Sequence, residues 1–298
     1  MPRIDAHVHV FTKESAEFPR TTSDWLPPER EEPVEKLMEL MEASNIDQAG
    51  LIQIGGNEIE QHNYLLRCLK DYPDRFLGIG LIPPDCKDTA EHMKRLTDGT
   101  GIIGFRLSKI GGPRDPFAPM DVRQFKTWPI WEYAAENDLV IWLYCCARDA
   151  FQIPWILEEL PHVRVVMNHM GVTPGKGKFS IDEYGRPKVE IAGYTIEKHT
   201  AWRLTPYENV CVKLSGQYAF SRAEYPYEDI ASWSRTLLSR FGSDRLMWAT
   251  DFPWIQVEPG YDRYAEIVRK NIPDISDRDY DAIMGNTAKK VLRYPDRE

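Results

Sequence analysis

The sequence predicts an α/β fold, a (β/α)8 TIM barrel. Short apolar runs alternate with stretches of helical spacing, eight such runs can be counted, and no Gly-x-Gly-x-x-Gly follows the first of them. The missing glycine pattern speaks against a doubly wound dinucleotide-binding sheet. With 298 residues, 42% hydrophobic and 28% charged, the chain has material for one large core, and the expectation is a single domain over 1–298.

The strand runs are Arg3–His9, Gln48–Ile54, Phe76–Leu81, Ile102–Leu107, Leu139–Tyr144, Val163–His169, Val210–Ser215 and Leu246–Asp251. Each is short and rich in β-branched or other apolar residues. Between them, apolar residues three and four apart predict helices over Glu35–Ala43, Glu58–Lys70, Ala90–Leu96, Pro129–Glu136, Ile153–Glu159, Asp229–Arg240 and Tyr261–Arg269. The segment "GNTAKKVLRY" predicts a closing helix capped by Asn286 or Thr287, with Ala288, Val291 and Leu292 on one face. Two connections, about 11–33 and 172–208, are longer than a barrel needs, and both leave the C-terminal end of a strand. Either can serve as a substrate lid or as a contact in a homo-oligomer.

A net charge of −9 and a pI near 5.4 give no electrostatic attraction to nucleic acid or to an anionic membrane, which leaves a small molecule as the expected partner. The sequence shows neither a charged-then-apolar leader nor a run of about 18 apolar residues, so the expected location is cytoplasmic. Five cysteines, Cys68, Cys86, Cys145, Cys146 and Cys211, lack CxxC spacing and read as mostly buried thiols.

The opening "RIDAHVHVF" carries the first chemical signal. Strict alternation along a strand puts Asp5, His7 and His9 on one face and Ile4, Ala6, Val8 and Val10 on the other. Neutral imidazole is a common metal ligand, and two of them converge here at a strand end. "RVVMNHMG" ends the sixth strand at His169, and "RLMWATDFPW" ends the eighth at Asp251, a candidate general base. The apolar Phe252-Pro253-Trp254 segment is expected to raise the pKa of Asp251 by desolvation. Arg106 on strand four offers a planar fork suited to a carboxylate, and Lys213 on strand seven brings an ammonium that needs an anionic answer. Tyr144 and Trp254, with Trp25, Trp142, Trp202, Tyr218 and Phe252, lie near the expected mouth. His62, His92, His162 and His199 read as surface or structural.

Taken together and in order, "IDAHVHVF", "GIIGFRLS", "LPHVRVVMNHMG", "ENVCVKLSG", "FGSDRLMWATDFPW" and "GNTAKKVL" resemble the amidohydrolase superfamily. The likeness is to its amidohydrolase-2 branch of distorted barrels, which includes pyrone-dicarboxylate lactonases and fuconolactonase-like hydrolases. The resemblance implies an amidohydrolase-type barrel with His7, His9, His169 and Asp251 as catalytic residues and as ligands of one divalent metal, zinc first. Beside them, Arg106, Lys213, Tyr144 and Trp254, read from their own chemistry and position, are the expected substrate-binding groups. Two ligands of metal-dependent relatives are replaced, by Arg106 on strand four and by Tyr144 or Cys145 on strand five, which argues against two metals. Lactonases of the branch also work without a metal, so both states stay open. Val172 stands where the pyrone lactonases carry an arginine, which weakens a dicarboxylate substrate. The implied reaction is hydrolysis of a lactone of a sugar acid or pyrone-type carboxylate. The alternatives are a non-oxidative decarboxylase of an aromatic or unsaturated acid, and a ligand-binding barrel without turnover.

Overall fold

The structure is a computed structural model that describes residues 1–115, 121–172, 179–190 and 201–295. Its strands in chain order are β1 (Ile4–Val8), β2 (Gln48–Ile52), β3 (Phe76–Leu81), β4 (Ile102–Leu107), β5 (Val140–Leu143), β6 (Arg164–Met167), β7 (Phe179–Ile181), β8 (Pro187–Val189), β9 (Val210–Leu214) and β10 (Leu246–Trp248). Eight of them form one parallel sheet in the order β1-β2-β3-β4-β5-β6-β9-β10, the predicted barrel strands. The ring closes just past the last residues of β10, where the Asp251 N–H donates to the His7 carbonyl (2.9 Å) and the His9 N–H to that of Phe252 (2.7 Å). β7 and β8 make a separate antiparallel hairpin within the second long connection.

One apolar cluster draws residues from strands around the whole ring, Ile4, Ile52, Ile79, Val140, Val166 and Met247 among them, so it fills the barrel interior. Ala288, Leu292 and Tyr294 belong to the same cluster, with Val291 packed on it, and they plug one end. The predicted face of the closing helix is the face used. The cap is different: Asn286 is itself helical (φ −61°, ψ −39°), because the helical chain begins at Asp277 and runs on through Ala282–Asn286 into Thr287–Leu292. Ser276 is the N-cap, accepting from the Asp279 N–H at 3.1 Å. A β-carbon on Gly285 would meet the Pro2 carbonyl at 1.8 Å, so only glycine lets this helix lie against the start of β1.

A second, larger cluster joins the outer faces of the strands to the helices. Helix α1 (Val34–Ala43) buries Val34, Leu37 and Met41, three and four residues apart. The predicted Glu58–Lys70 helix is a 3₁₀ turn, Ile59–His62, running into α2 (Asn63–Asp71). α3 (Thr89–Thr97) and α4 (Trp128–Glu136) lie where spacing placed them. α5 (Ala147–Glu159) starts well before the expected Ile153, since Pro154, which resembles a first-turn proline, sits inside the helix. The predicted Tyr261–Arg269 helix is broken into Tyr261–Tyr264 and Ile267–Asn271.

The first long connection is a folded loop. The buried Arg20 guanidinium donates to the carbonyls of Thr12, Leu26, Pro27, Pro28 and Arg30, gathering the loop around one cation. In the second, 173–178 and 191–200, with His199, lie outside the described residues.

Candidate active site

A β-bulge builds the site at its first strand. Asp5 pairs with Ala49 and Val8 with Leu51, so three steps on β1 match two on β2. The extra residue breaks the expected alternation. Ile4 and Ala6 pack in the barrel interior and Val8 in the outer core, yet His7 also turns inward, to Trp142 and Lys213. Asp5 is therefore separated from the histidines. Its carboxylate accepts from the Thr250 N–H (2.9 Å) and hydroxyl, the Tyr261 hydroxyl (2.9 Å) and the His7 N–H (3.2 Å), tying β1 to the segment after β10.

The four groups singled out in the sequence meet at the strand ends. His7 and His9 face each other through Nε2 at 3.1 Å, and Asp251 Oδ1 lies 3.4 and 3.5 Å from those same nitrogens. His169 Nε2 is 3.9 Å from Asp251 Oδ2, and its ring centroid lies 5.2 Å from that of His7. All four are buried. Left-handed backbone at His169 (φ 44°), Met170 (φ 59°) and Asp251 (φ 62°) turns the chain sharply where these side chains must point inward. Non-glycine residues hold that conformation at a cost of about 1 kcal/mol each, a strain typical of functional sites.

Hydrogen-bond partners assign the protons on the first-strand pair. His9 Nδ1 is 2.8 Å from the Ile52 carbonyl, which can only accept, so this nitrogen carries the proton and Nε2 is left as an acceptor. His7 Nε2–H then donates to His9 Nε2, and His7 Nδ1 accepts from the Trp142 indole N–H at 3.4 Å and from Lys213 Nζ. His169 is held at Nδ1 by the Ser215 hydroxyl, 3.0 Å away.

Burial pushes His7 well down, with the neighbouring Lys213 adding to it, and pushes His169 down to about 3 against the pull of Asp251. Burial alone would raise the Asp251 carboxyl, but His169, His9 and the Tyr218 hydroxyl hold it well below the usual carboxylate range. This corrects the expected upward shift. Phe252, whose apolar side chain was to cause it, packs outward against Tyr261 (centroids 6.5 Å apart). At neutral pH Asp251 is thus charged beside the neutral imidazoles of His7 and His169.

Arg106 and Tyr144 are half-buried on neighbouring strands and both feel the Asp251 charge. Tyr144 stands edge-on to His169 at 5.0 Å between centroids. Among the described residues no hydrogen bond or ion pair engages the Arg106 guanidinium. Lys213 differs from expectation: it is fully buried, its Nζ on His7 Nδ1 and 4.3 Å from the Trp142 ring centre, behind the histidines and, among the described residues, without a carboxylate in salt-bridge contact. Burial lowers its pKa far below the usual lysine range. Trp254 packs against the first long loop, 5.7 Å from the Trp25 ring and under the Arg30 guanidinium (4.9 Å).

His7, His169 and Asp251 present ligand atoms within 4.8 Å of one another, and this buried group could hold a metal. Two features fit a single cation: an anionic oxygen beside the neutral imidazoles of His7 and His169, and Asp251 Oδ1, buried without a hydrogen-bond partner. Binding there would displace the proton on His7 Nε2. Arg106 on β4 repels a second cation.

The roles of three contributors escaped sequence reasoning, although Tyr218 was among the aromatics expected near the mouth. Ser215 orients His169, Gly216 (φ 75°) makes room for it, and Tyr218 donates to Asp251 Oδ2 at 2.5 Å. The Ser-Gly pair ending "VKLSGQY" was the available signal, a small-residue turn at the mouth of a strand.

A family described as Amidohydrolase matches residues 4–294. D-galactarolactone isomerase of Agrobacterium fabrum is 22% identical over 91% of this chain and 85% of its own length. 4-Sulfomuconolactone hydrolase of Rhizobium radiobacter is 25% identical over 84% of this chain and 75% of its own. The crystal structure of an amidohydrolase from Burkholderia multivorans with bound zinc superposes with a TM-score of 0.74, at 20% identity over 99% of this chain and 100% of that one.

Proposed function

The chain belongs to the amidohydrolase family, and we propose that it hydrolyses the ring ester of a lactone, that of a sugar acid or pyrone-type carboxylate. The observation that carries this reading is the buried, ionised Asp251 beside the neutral imidazoles of His7 and His169, faced by an Arg106 that no group among the described residues engages by hydrogen bond or ion pair. Such a mouth joins a base for water to a fork for an anion. That two relatives act on lactones by name supports the same class.

In this mechanism Asp251 takes a proton from water while the water oxygen attacks the lactone carbonyl carbon. His169, held at Nδ1 by Ser215, polarises the carbonyl oxygen through Nε2, His7 and His9 line the site beside Asp251, and the proton on Asp251 passes to the ring oxygen as the C–O bond breaks. The products are a hydroxyl and a carboxylate, so each turnover releases one proton at neutral pH. Arg106 orients the anionic group, Tyr144 and Trp254 wall the site, and Lys213 acts from behind His7. A divalent cation on His7, His169 and Asp251, with zinc the first candidate, would supply Lewis-acid polarisation of that carbonyl when bound.

The isomerase relative favours a second reading, in which a hydroxyl of the substrate replaces water and the ring migrates. Proton release at neutral pH from a panel of sugar lactones and pyrone carboxylates, with and without chelator, tests the first; product analysis by NMR separates the second. Acidification above the spontaneous rate supports hydrolysis. Silence in both assays overturns the lactone reading and directs the protein to a carbon dioxide assay.

A further inference from the structure

We propose that Tyr218 is a positioning residue that divides the labour of the two Asp251 oxygens, anchoring Oδ2 so that Oδ1 alone takes the proton. The inference rests on Asp251 as the general base. The Tyr218 hydroxyl donates to Oδ2 at 2.5 Å, while Oδ1 is buried without a hydrogen-bond partner and faces the Nε2 atoms of His7 and His9. A carboxylate rotates broadly and with near two-fold symmetry about its last torsion, so without an anchor either oxygen can take either place. The next group near Oδ2 is His169 Nε2 at 3.9 Å, too far for a hydrogen bond. Tyr218 is therefore what distinguishes the two oxygens.

The anchor is rigid for reasons visible in its own segment. Tyr218 is 1% exposed and lies in the short helix Gln217–Phe220, entered through the left-handed Gly216. The Tyr264 hydroxyl donates to the Gln217 side-chain oxygen and pins the start of that helix. Its far end is tied from outside the barrel: Lys188, on the β7–β8 hairpin, donates through Nζ to the carbonyls of Tyr218 and Ser221 (3.0 Å to the latter). Lys188 thereby links the long connection after β6 to the orientation of Asp251, with Tyr218 as the link.

Tyr218→Phe removes the donor and keeps the ring. On the lactone that the native protein turns over fastest, kcat is expected to fall about 10- to 100-fold with KM within about twofold, since the phenol touches the base and not the substrate. Lys188→Met, remote from Asp251, is expected to lower kcat several-fold at unchanged KM, and covers the case in which the first variant does not fold. A purely structural role would instead lower the melting temperature and the yield of active protein without that split. Native kcat in both variants, or a KM rise matching the kcat loss, overturns the proposal. If the native protein turns over no lactone, the functional reading fails by itself, and crystal structures decide this one. The Asp251 carboxylate plane is expected to rotate in Tyr218→Phe, and an unrotated plane overturns the anchor.

Discussion

Gly216 and His169 share one boundary: a β-carbon on Gly216 would lie 2.9 Å from His169 Nδ1 and 3.0 Å from its Cβ. The space left by the missing side chain is where the imidazole stands. Gly216→Ala therefore meets two penalties, the left-handed φ of 75° and displacement of His169 from the Ser215 hydroxyl. Turnover is expected to fall at least about tenfold and the melting temperature by several degrees, read by proton release and thermal circular dichroism. Native turnover would show that the placement of His169 is not needed.

Asp251→Asn separates charge from shape. The amide keeps the volume and can still accept from Tyr218, but it cannot take a proton from water. A loss of about a thousandfold in kcat is expected, with a melting temperature at or above the native value because a buried charge is removed. A variant retaining a tenth of native turnover would rule out Asp251 as the base.

Arg106→Met keeps length and apolar bulk and removes a guanidinium that no hydrogen bond or ion pair among the described residues engages. For lactones carrying a carboxylate, KM is expected to rise about tenfold or more with kcat changed far less; for uncharged lactones both constants stay near native. Equal effects on charged and uncharged substrates would mean that Arg106 acts through Asp251 instead of through the ligand.

The chemistry was legible where it sat at strand ends. His9, His169 and Asp251 each end a short strand run, and eight such runs in alternation with helices define a barrel mouth toward which their ends converge. Period-two reasoning failed at Asp5, because a bulge is one inserted residue whose only trace is a register shift against the neighbouring strand. Tyr218 was expected near the mouth, but its role escaped for another reason: it lies in a four-residue helix too short for periodicity, and its partner is 33 positions away. Lys213 was placed correctly in the barrel, yet its depth behind His7 depends on packing around Trp142 that no local pattern encodes.

His62 provides a test of stability that does not touch the mouth. It is fully buried, with Nδ1 2.8 Å from the Glu58 carbonyl and Nε2 accepting the Leu81 N–H at 3.0 Å, so both nitrogens are used only when the ring is neutral. Burial pushes its pKa down from 6.5 to about 4. Between those two values the unfolded chain binds the proton and the folded one does not, so stability rises with pH through this window. The contribution is fully present above pH 6.5 and is lost as pH falls toward 4, amounting to about 3 kcal/mol for a shift of this size. His62→Gln retains an acceptor for Leu81 and abolishes the titration. Denaturant unfolding from pH 7 to 4 should show a shallower loss of stability in the variant than in the native protein, and parallel curves would mean that His62 titrates normally in the fold.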